Sequence, residues 1–550
     1  MLLLLLLLAP LAFGQTPLFP TTAEPSLVDA VVTDAQGQPA SNLAAADFEV
    51  LRNGRPQKIR SAEFLQQEPS LLVIVDDLNL TCDALAEVRT AIGKVPRRAA
   101  VIRTSASNGK EDSFTGAKPA LPCYLDSITP NGRSAGARAA IELAVGGLRQ
   151  LPGRKTVVVF SGNLAMYRNA TESAARLVNL ANQAGAVLYG VDPQAGAAFA
   201  VMAEKTGGAI IDSLAALPPE AGYYLIDFEP DVTLTAPSGD LEVRVKREGL
   251  HVRSRTGSIV KPREVTGRSE LPRRTQLLRG LTDPFSTGDI GASVTPIFTN
   301  TAQGSVVEVL THIDARDIGF LNLLNGRHRY GLDVIVLISN AEQRIVAENS
   351  RSVSGELTDA DYRQAISQGL LFVLNLSLLQ PGPYHVRTLL GDEASDKIGH
   401  ASQFLEVPDA AGKQFCLSSL MVMGEKTVSP LSKPAGIQLG LTPDNPAIRI
   451  FHRGQTIAYG YETVNPAIAA DKKPAMEAEV RLLLNGRVVF EGKPTPIEIL
   501  ANEDPKRHFV GGKITLGSSM QPGSYVVQVT VTDKLASMTV SRATDFRHAP

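Results

Sequence analysis

The pattern of apolar and polar positions divides the chain into segments of different kind. Between residues 26 and 66, short alternating runs are separated by turns such as Asn53-Gly54, which is typical of antiparallel strands. About forty residues of this kind cannot close a core alone. The alternating pattern returns over residues 219–260, where Leu241, Val243 and Val245 alternate with charged residues. We therefore predict that these two segments together form one N-terminal β-sandwich.

From residue 69 to residue 217 apolar strands alternate with amphipathic helices. Such alternation with short connections indicates a mainly parallel, Rossmann-like sheet covered by helices on both faces, here inserted in the β-sandwich. The predicted strands are Leu71–Val75, Ala99–Arg103, Thr156–Phe160, Ala186–Val191 and Ala209–Asp212, and the predicted helices are Asp83–Val95, Ser134–Leu151, Thr171–Ala184 and Gly196–Lys205.

Beyond the α/β segment the pattern shows only short strands and turns. Residues 261–281 are rich in Arg, Pro and Thr and predict a linker. Residues 283–408 and 413–548 predict two Ig-like β-sandwich domains. Both contain Leu-Asn-Gly-Arg, at 324–327 and 484–487, and Gln-Pro-Gly-x-Tyr, at 380–384 and 521–525. These matching pairs favour two copies of one module.

The first residues predict export. Residues 2–8 are all leucine and small residues follow, so residues 1–14 are interpreted as a signal peptide that is cleaved after Gly14. This run is too short to cross a bilayer, and no later apolar run approaches about 18 residues, so we expect no membrane span in the mature chain. The expected location is the periplasm or the extracellular space.

Composition adds little about partners. A chain of 550 residues predicts several domains, and its 44% hydrophobic and 20% charged residues are typical of folded protein. A net charge of −2 favours neither nucleic acid nor an acidic membrane surface. Trp is absent and aromatic residues are 5%, which argues against an aromatic surface on which sugars or the bases of single-stranded nucleic acid would stack. Composition and charge therefore indicate no partner.

The three cysteines leave two interpretations open. In an exported chain Cys82 and Cys123 are candidates for a disulfide, whereas an odd number of scattered cysteines also fits three buried, small apolar residues that include Cys416.

The turn after the first α/β strand is the strongest candidate for chemistry. Asp76 and Asp77 follow Leu71–Val75 directly, and ligands of open parallel sheets lie at the carboxyl ends of the strands. The turn continues through Asn79 and Thr81. A purely structural interpretation is that Asp76 or Asp77 caps the next helix, while Asn79 and Thr81 bind turn amides.

Enzyme motifs are weak in this chain. Residues 132–136 fit Gly-x-Ser-x-Gly around Ser134, but a turn rather than a strand precedes the serine, so a serine hydrolase is the least favoured hypothesis. The eight histidines are dispersed and show no zinc-ligand spacing. We therefore predict a non-enzymatic protein without a catalytic cofactor.

Several motifs, taken in order over residues 26 to 258, resemble the von Willebrand factor A fold, and more closely the VWFA-related secreted proteins of Acidobacteria. The residues that carry the resemblance are Val31-x-Thr33-Asp34-x-x-Gly37, Asp47-Phe48-x-Val50-x-x-x-Gly54-x-x-Gln57, Asp76-Asp77-Leu78-Asn79-Leu80-Thr81, Gly153-Arg154-Lys155-Thr156 with the strand to Ser161, Thr206-Gly207-Gly208, Tyr223-Tyr224-Leu225 and Val252-Arg253-Ser254-Arg255-Thr256-Gly257.

The resemblance implies a metal-ion-dependent adhesion site in degenerate form. Its candidate ligands are Asp77, Asn79, Thr81, Ser134 and Ser161, and the implied cofactor is weakly bound Mg²⁺ or Ca²⁺, or no metal. The implied function is protein–protein interaction or adhesion outside the cytoplasm, with an unidentified protein as the partner. The alternative is a structural or assembly module of the envelope. The two differ in whether the face around these residues is open or is covered by neighbouring domains.

Overall fold

The computed structural model describes most of the chain outside the N-terminus and the linker. Cys123, the predicted signal peptide and nearly all of the predicted linker lie outside the described residues. The described residues are 27–66, 70–92, 99–107, 130–191, 196–218, 222–229, 240–259, 277, 288–301, 304–377, 380–410, 414–425, 436–438, 447–470, 473–499 and 504–550.

The first part of the chain combines an antiparallel β-sheet with an α/β unit. Its strands are β1 (Leu27–Thr33), β2 (Phe48–Arg52), β3 (Arg55–Leu65), β4 (Ser70–Val75), β5 (Ala99–Arg103), β6 (Ala106–Ser107), β7 (Lys155–Phe160), β8 (Ala186–Val191), β9 (Ala209–Ile210), β10 (Tyr223–Glu229), β11 (Leu241–Val245) and β12 (His251–Ser254), and its α-helices are α1 (Cys82–Ile92), α2 (Pro130–Gly147), α3 (Thr171–Gln183) and α4 (Gly196–Lys205).

Strands from before and after the α/β unit pair in one antiparallel sheet with the order β11-β2-β3-β10-β1-β12. Strand β1 lies between β10 and β12, so the pairing joins segments that lie before and after the α/β unit in sequence, such as Leu27 with Asp227 and Ala30 with Ser254. The end strands approach each other, since the amide of Leu241 donates to the carbonyl of Thr256 at 2.7 Å. One curved sheet therefore encloses the core around Val28, Phe48 and Tyr224.

The α/β unit contains a parallel sheet with the order β5-β4-β7-β8-β9. The strands are buried on both faces because α2, α3 and α4 pack on one side and α1 on the other. For most of its strands and helices, the observed first and last residues differ from the predicted ones by only a few positions. The order reverses between β4 and β7, and such a switch point is where open α/β sheets bind ligands.

A buried ion triad joins the antiparallel sheet to the α/β unit. Asp29 on β1 accepts from Arg255 Nε at 2.5 Å and Nη2 at 2.8 Å, and from Arg154 Nη1 at 2.5 Å. All three side chains are buried. Although burial opposes ionisation, the two guanidinium groups hold the pKa of Asp29 well below its ordinary value.

The second half of the chain forms two β-sandwich modules. The first β-module contains β13 (Ala292–Thr301), β14 (Gly304–Ile313), β15 (Leu321–Asn322), β16 (His328–Asn340), β17 (Ile345–Leu357), helix α5 (Asp359–Gln368), β18 (Leu370–Ser377), β19 (Gly382–Asp392) and β20 (Ile398–Val407). The second β-module contains β21 (Cys416–Leu417), β22 (Met421–Gly424), β24 (Ile450–His452), β25 (Thr456–Val464), β26 (Met476–Leu484), β27 (Arg487–Glu491), β28 (Thr495–Pro496), β29 (Arg507–Thr515), β30 (Gly523–Asp533) and β31 (Met538–Ala549). Strand β23 (Gly436–Gln438) lies between β22 and β24 in sequence but pairs with β18 of the first β-module.

The two β-modules share one strand order. Three strands, β13-β14-β18 or β22-β25-β29, face four strands, β17-β16-β19-β20 or β27-β26-β30-β31. The chain is thus a multidomain α/β and all-β protein.

Among the described residues, no helix is long and apolar enough to span a membrane.

The two repeated motifs have different structural meanings. Tyr384 and Tyr525 open β19 and β30, and each hydroxyl donates to the carbonyl of the glutamine four residues earlier, Gln380 at 2.6 Å and Gln521 at 2.8 Å. In Ig-like sandwiches this contact is known as the tyrosine corner. Leu-Asn-Gly-Arg, however, precedes β16 in one module and follows the corresponding β26 in the other. Only the glutamine–tyrosine motif therefore marks an equivalent position.

Two elements differ from the predicted organisation. The prediction of only strands and turns for residues 283–408 is wrong because α5 connects β17 to β18. Strand β6 of the α/β segment pairs with β20 of the first β-module, with Ala106 opposite Gln403. The α/β unit and the first β-module are thus joined through backbone pairing.

Candidate functional site

Three polar residues meet at the switch point of the parallel sheet. Asp76, Thr104 and Ser161 are the first residues after β4, β5 and β7. The carboxyl ends of adjacent parallel strands lie at one edge, so residues that follow these strands are brought together although they are distant in sequence. All three side chains are buried.

The Asp76 carboxylate accepts hydrogen bonds from neutral donors. Ser161 Oγ lies 2.6 Å from Oδ2, Asn79 Nδ2 lies 2.9 Å from Oδ2 and 3.1 Å from Oδ1, and Thr104 Oγ1 lies 3.0 Å from Oδ1. These contacts stabilise the charged form, but removal from water outweighs them and raises the pKa of Asp76 to about 6.

Asp77 points to the other side of the turn. Its carboxylate accepts from the Ser105 amide at 2.9 Å and from Ser105 Oγ at 2.5 Å, and Arg103 Nη1 lies 4.0 Å from Oδ2. Burial raises the pKa of Asp77 despite the nearby Arg103. Thr104 Oγ1 also lies 3.1 Å from Asp77 Oδ1, so one hydroxyl faces both carboxylates. A hydroxyl donates a single proton, so both contacts are satisfied together when one carboxyl is protonated.

The predicted ligand residues separate into two groups. Asn79 and Ser161 reach Asp76, whereas the remaining three do not. The Asp77 carboxylate faces Ser105, and the Ser134 hydroxyl accepts from Asn163 Nδ2 at 3.1 Å. Thr81 Oγ1 accepts from the Ala84 amide at 3.2 Å, at the start of α1.

The structural interpretation of the turn needs correction. The cap of α1 is Thr81 and neither Asp76 nor Asp77. The two carboxylates bind groups at the ends of β5 and β7 instead, because the turn directs them along the edge of the sheet. Asn79 binds a carboxylate and not a turn amide.

The donor set does not fit a divalent cation. Mg²⁺ and Ca²⁺ take several oxygen ligands and favour sites with more than one carboxylate. Here one carboxylate faces the two hydroxyls and the amide, and the second carboxylate faces Arg103. Across the part of the chain that the structure describes, no group of three His, Cys, Asp or Glu side chains is placed to hold a metal.

Residues of both β-modules cover the Asp77 side of this edge. A cavity of about 170 Å³ is lined by Leu78 and Ser105 from the α/β unit, by Phe404 from the first β-module and by Asp545 from the second. The Phe404 amide donates to the Ser105 carbonyl at 2.6 Å. Asn79 and Ser134 remain half-buried, so the edge is covered on one side.

Charged groups link the three parts across this cavity. Arg103 lies beside Asp77, and Arg449 Nη2 binds Asp545 Oδ1 at 3.0 Å while its Nη1 donates to Thr295 Oγ1 at 2.8 Å. Burial would raise the pKa of Asp545, but Arg449 and then Arg103 hold it below the ordinary value. Arg103 therefore interacts electrostatically with an acidic group on each side of the junction.

Thr104, Ser105 and Asn163 also belong to this site, although they are not among the residues predicted from the sequence. Thr104 and Ser105 follow the predicted strand Ala99–Arg103 just as Asp76 follows Leu71–Val75. The rule that placed a site at Asp76 therefore applied to the neighbouring strand as well. Asn163 lies in the loop after β7, where its side chain binds Ser134.

The serine hydrolase hypothesis gains no support from the geometry. Among the described residues, no histidine hydrogen-bonds Ser134 Oγ. The imidazole of His385 instead contacts the carbonyl of Gly136 at 3.1 Å, and burial lowers the pKa of His385 to about 4.

Cys82, at the start of α1, is disulfide-bonded, whereas Cys416 is free and buried. The predicted partner Cys123 lies outside the described residues.

We expect non-reducing peptide mass spectrometry to find Cys82 linked to Cys123, and Cys123→Ser to expose the Cys82 thiol to alkylation. Cys416→Ala serves as the control and should leave the linkage unchanged. A Cys82 that is alkylated in the native chain would contradict the pairing.

Comparisons with known proteins identify no family. No protein-family model matches the sequence, and no curated protein matches it. Similar solved structures include the alkylpurine DNA glycosylase AlkC of Pseudomonas fluorescens bound to DNA containing an abasic site analog, with 12% identity, a TM-score of 0.14, and coverage of 18% of this chain and 28% of that chain. They also include a β-glucuronidase of Bacteroides uniformis, with 9% identity, a TM-score of 0.17, and coverage of 44% of this chain and 26% of that one. A β-glucuronidase of Parabacteroides merdae has 14% identity, a TM-score of 0.15, and coverage of 44% of this chain and 27% of that one. The matches span little more than a quarter of those chains, and similarity at this level carries no argument about fold or function.

Proposed function

We propose that this chain is an exported, non-enzymatic scaffold in which a von Willebrand A-like α/β unit uses its ligand edge to hold the protein's own β-modules. The observation that carries this proposal is the packing of both β-modules against the Asp77 side of the carboxyl edge of the parallel sheet, where the Phe404 amide donates to the Ser105 carbonyl at 2.6 Å. In an adhesion protein of this type the same edge would face an external partner. Here one side of it is packed against both β-modules. Contacts with other proteins are then left to the β-modules.

Two further observations support export and the absence of catalysis. A disulfide at Cys82 is characteristic of oxidising compartments outside the cytoplasm, in agreement with the leucine-rich start of the chain. Asp76 and Asp77 are both buried and hydrogen-bonded within the protein, so neither is positioned to contact a substrate in solution. Their role in this proposal is to organise the ends of β4, β5 and β7.

The proposal predicts that Arg103→Ala uncouples the domains. Removing the guanidinium takes the neighbouring cation from the buried Asp77, and a buried carboxylate that loses its compensating charge is strongly unfavourable. It also weakens the favourable field at Asp545, which keeps its pair with Arg449. Differential scanning calorimetry of the full chain should therefore show the α/β unit and the second β-module unfolding at more separated temperatures. Arg60→Ala is a matched control because Arg60 pairs with Asp227 on an exposed surface.

Divalent cations test the adhesion alternative in the same protein. We expect isothermal titration with MgCl₂ or CaCl₂ to give no saturable heat, because the oxygen atoms of Asp76 face hydrogen-bond donors. Saturable binding that Asp76→Asn abolishes, together with an Arg103→Ala protein that unfolds like the wild type, would favour an adhesion site and refute the scaffold proposal.

A further inference from the structure

The equivalent inter-sheet gap is closed in one β-module and open in the other. In the first β-module, α5 connects β17 to β18 and lies over the gap between the two sheets. Ala365 of this helix is buried in the core, and Tyr362 and Ile366 pack against the same core. In the second β-module the corresponding connection, from β27 to β29, contains the short strand β28 and, among its described residues, no helix.

The open gap is a large apolar cleft, which we name the β27–β29 cleft. It has a volume of about 1230 Å³ and is lined by Tyr459, Val480, Val489, Phe490 and Ile514, among others. Ligand pockets for small molecules usually measure about 300–1,000 Å³, so the cleft is larger than a small metabolite needs. Its size favours a polypeptide segment.

The exposure of corresponding strands supports this comparison. The inward residues Val334 and Val336 of β16 are buried in the first β-module. On the equivalent β26, Ala478 and Val480 also face inward but are only half-buried. Apolar residues on the inner face of a sandwich are normally removed from water, and their exposure costs free energy that an occupant of the cleft would recover.

We propose that the β27–β29 cleft binds a short amphipathic helix of another polypeptide, seated as α5 is seated in the first β-module. The helix would present an aromatic, a small and an aliphatic residue at positions i, i+3 and i+4, because Tyr362, Ala365 and Ile366 have this spacing and lie on one helical face. The inference concerns the second β-module and stands independently of the scaffold role proposed for the α/β edge.

The chain itself supplies a probe for the experiment. A synthetic peptide of residues 358–369 carries the whole of α5 with its N-terminal cap, since Thr358 Oγ1 accepts from the Asp361 amide at 3.2 Å. The protein contains no Trp, so a peptide with Tyr362→Trp is the only source of Trp fluorescence in the mixture. Titration with the full-length chain should give a saturable blue shift as the indole leaves water.

Two substitutions in the protein locate the binding site. Ala478→Phe fills the cleft and should weaken binding at least about tenfold, a change of about 1.4 kcal/mol. Phe490→Ser removes an exposed aromatic side chain from the rim and should weaken binding without touching the core. Ala458→Phe is the matched control, because Ala458 is half-buried on the same module and does not line the cleft.

Specified outcomes would overturn the inference. One is the absence of a saturable shift, and another is equal binding to the Ala478→Phe protein. Equal binding of a peptide with Ile366→Asp would show that the helical face is not recognised. Concentration-dependent dimerisation that Ala478→Phe abolishes, measured by analytical ultracentrifugation, would identify a second copy of the chain as the occupant instead.

Discussion

Asp29→Ala is expected to lower the free energy of unfolding by about 3–5 kcal/mol, the range found when one partner of a buried ion pair is removed. The substitution removes the carboxylate that the buried Arg154 and Arg255 both bind at the contact between the antiparallel sheet and the α/β unit. Arg255 also donates to the Ala186 carbonyl at 3.2 Å, so its guanidinium cannot turn to solvent without breaking further contacts. Urea unfolding monitored by circular dichroism measures the change.

Asp227→Ala is the matched control for this experiment. Asp227 lies on β10 of the same sheet, and it pairs with Arg60 at 3.2 Å where the two side chains are 33% and 48% exposed. An exposed pair of this kind contributes about 0–1 kcal/mol. Equal losses of stability in the two variants would show that the triad contributes no more than a surface pair does.

The triad also gives a physical meaning to motifs that the sequence presents without explanation. Arg154 belongs to Gly153-Arg154-Lys155-Thr156, and Arg255 belongs to Val252-Arg253-Ser254-Arg255-Thr256-Gly257. Both arginines bind Asp29, which is 125 residues from Arg154 and 226 residues from Arg255. A local pattern cannot pair charges over such distances. The sequence therefore predicted the strands that carry these residues and not the contact between them.

Local periodicity explains why the α/β unit could be predicted in detail. Its parallel strands are buried on both faces, so their sequences are continuous apolar runs. Helix α3 has an apolar stripe with helical spacing. The position of the site followed from the same pattern, because the edge at the end of β4 is determined by topology. Which carboxylate faces the hydroxyls depends on turn geometry, and there the prediction placed Asp77 where the structure has Asp76.

Helix α5 has residues at both ends that are typical of the start and the end of a helix. Thr358 caps the helix, Asp359 and Asp361 lie in its first turn, and Gly369 follows its last turn with φ of 77°. These are typical start and stop residues. The apolar stripe is narrow, so hydrophobic periodicity alone did not predict a helix. Strand β6 carried no such signal, since a pair of residues that joins another domain is too short for any periodic pattern.

Asp76→Asn is expected to change stability in a manner that depends on pH. The pKa of Asp76 is about 6 in the folded protein and 3.8 without burial, so between these values the folded state holds a proton that the unfolded state has released. The wild type therefore gains stability as pH falls from 7 to 4, by about 2 kcal/mol from this group. The asparagine variant lacks this contribution. The free energy of unfolding of the variant, taken relative to that of the wild type, should therefore be about 2 kcal/mol more favourable at pH 7 than at pH 4.

The difference between wild type and Asp76→Asn separates this effect from that of other buried carboxyls. Burial also raises the pKa of Glu142 to about 6 and that of Glu308 to about 7. Both groups are present in wild type and variant alike, so their contributions cancel in the difference. Asp47→Asn provides a contrasting control. A backbone hydrogen bond from Ala44 and the nearby Arg247 lower the pKa of Asp47 on folding, so its contribution is complete above 3.8 and is lost only at lower pH. The difference from wild type should therefore stay constant between pH 7 and pH 5. If the Asp76→Asn difference were equally constant, the carboxyl would titrate as it does in the unfolded chain. The neutral donors at the ends of β5 and β7 would then offset the whole cost of its burial.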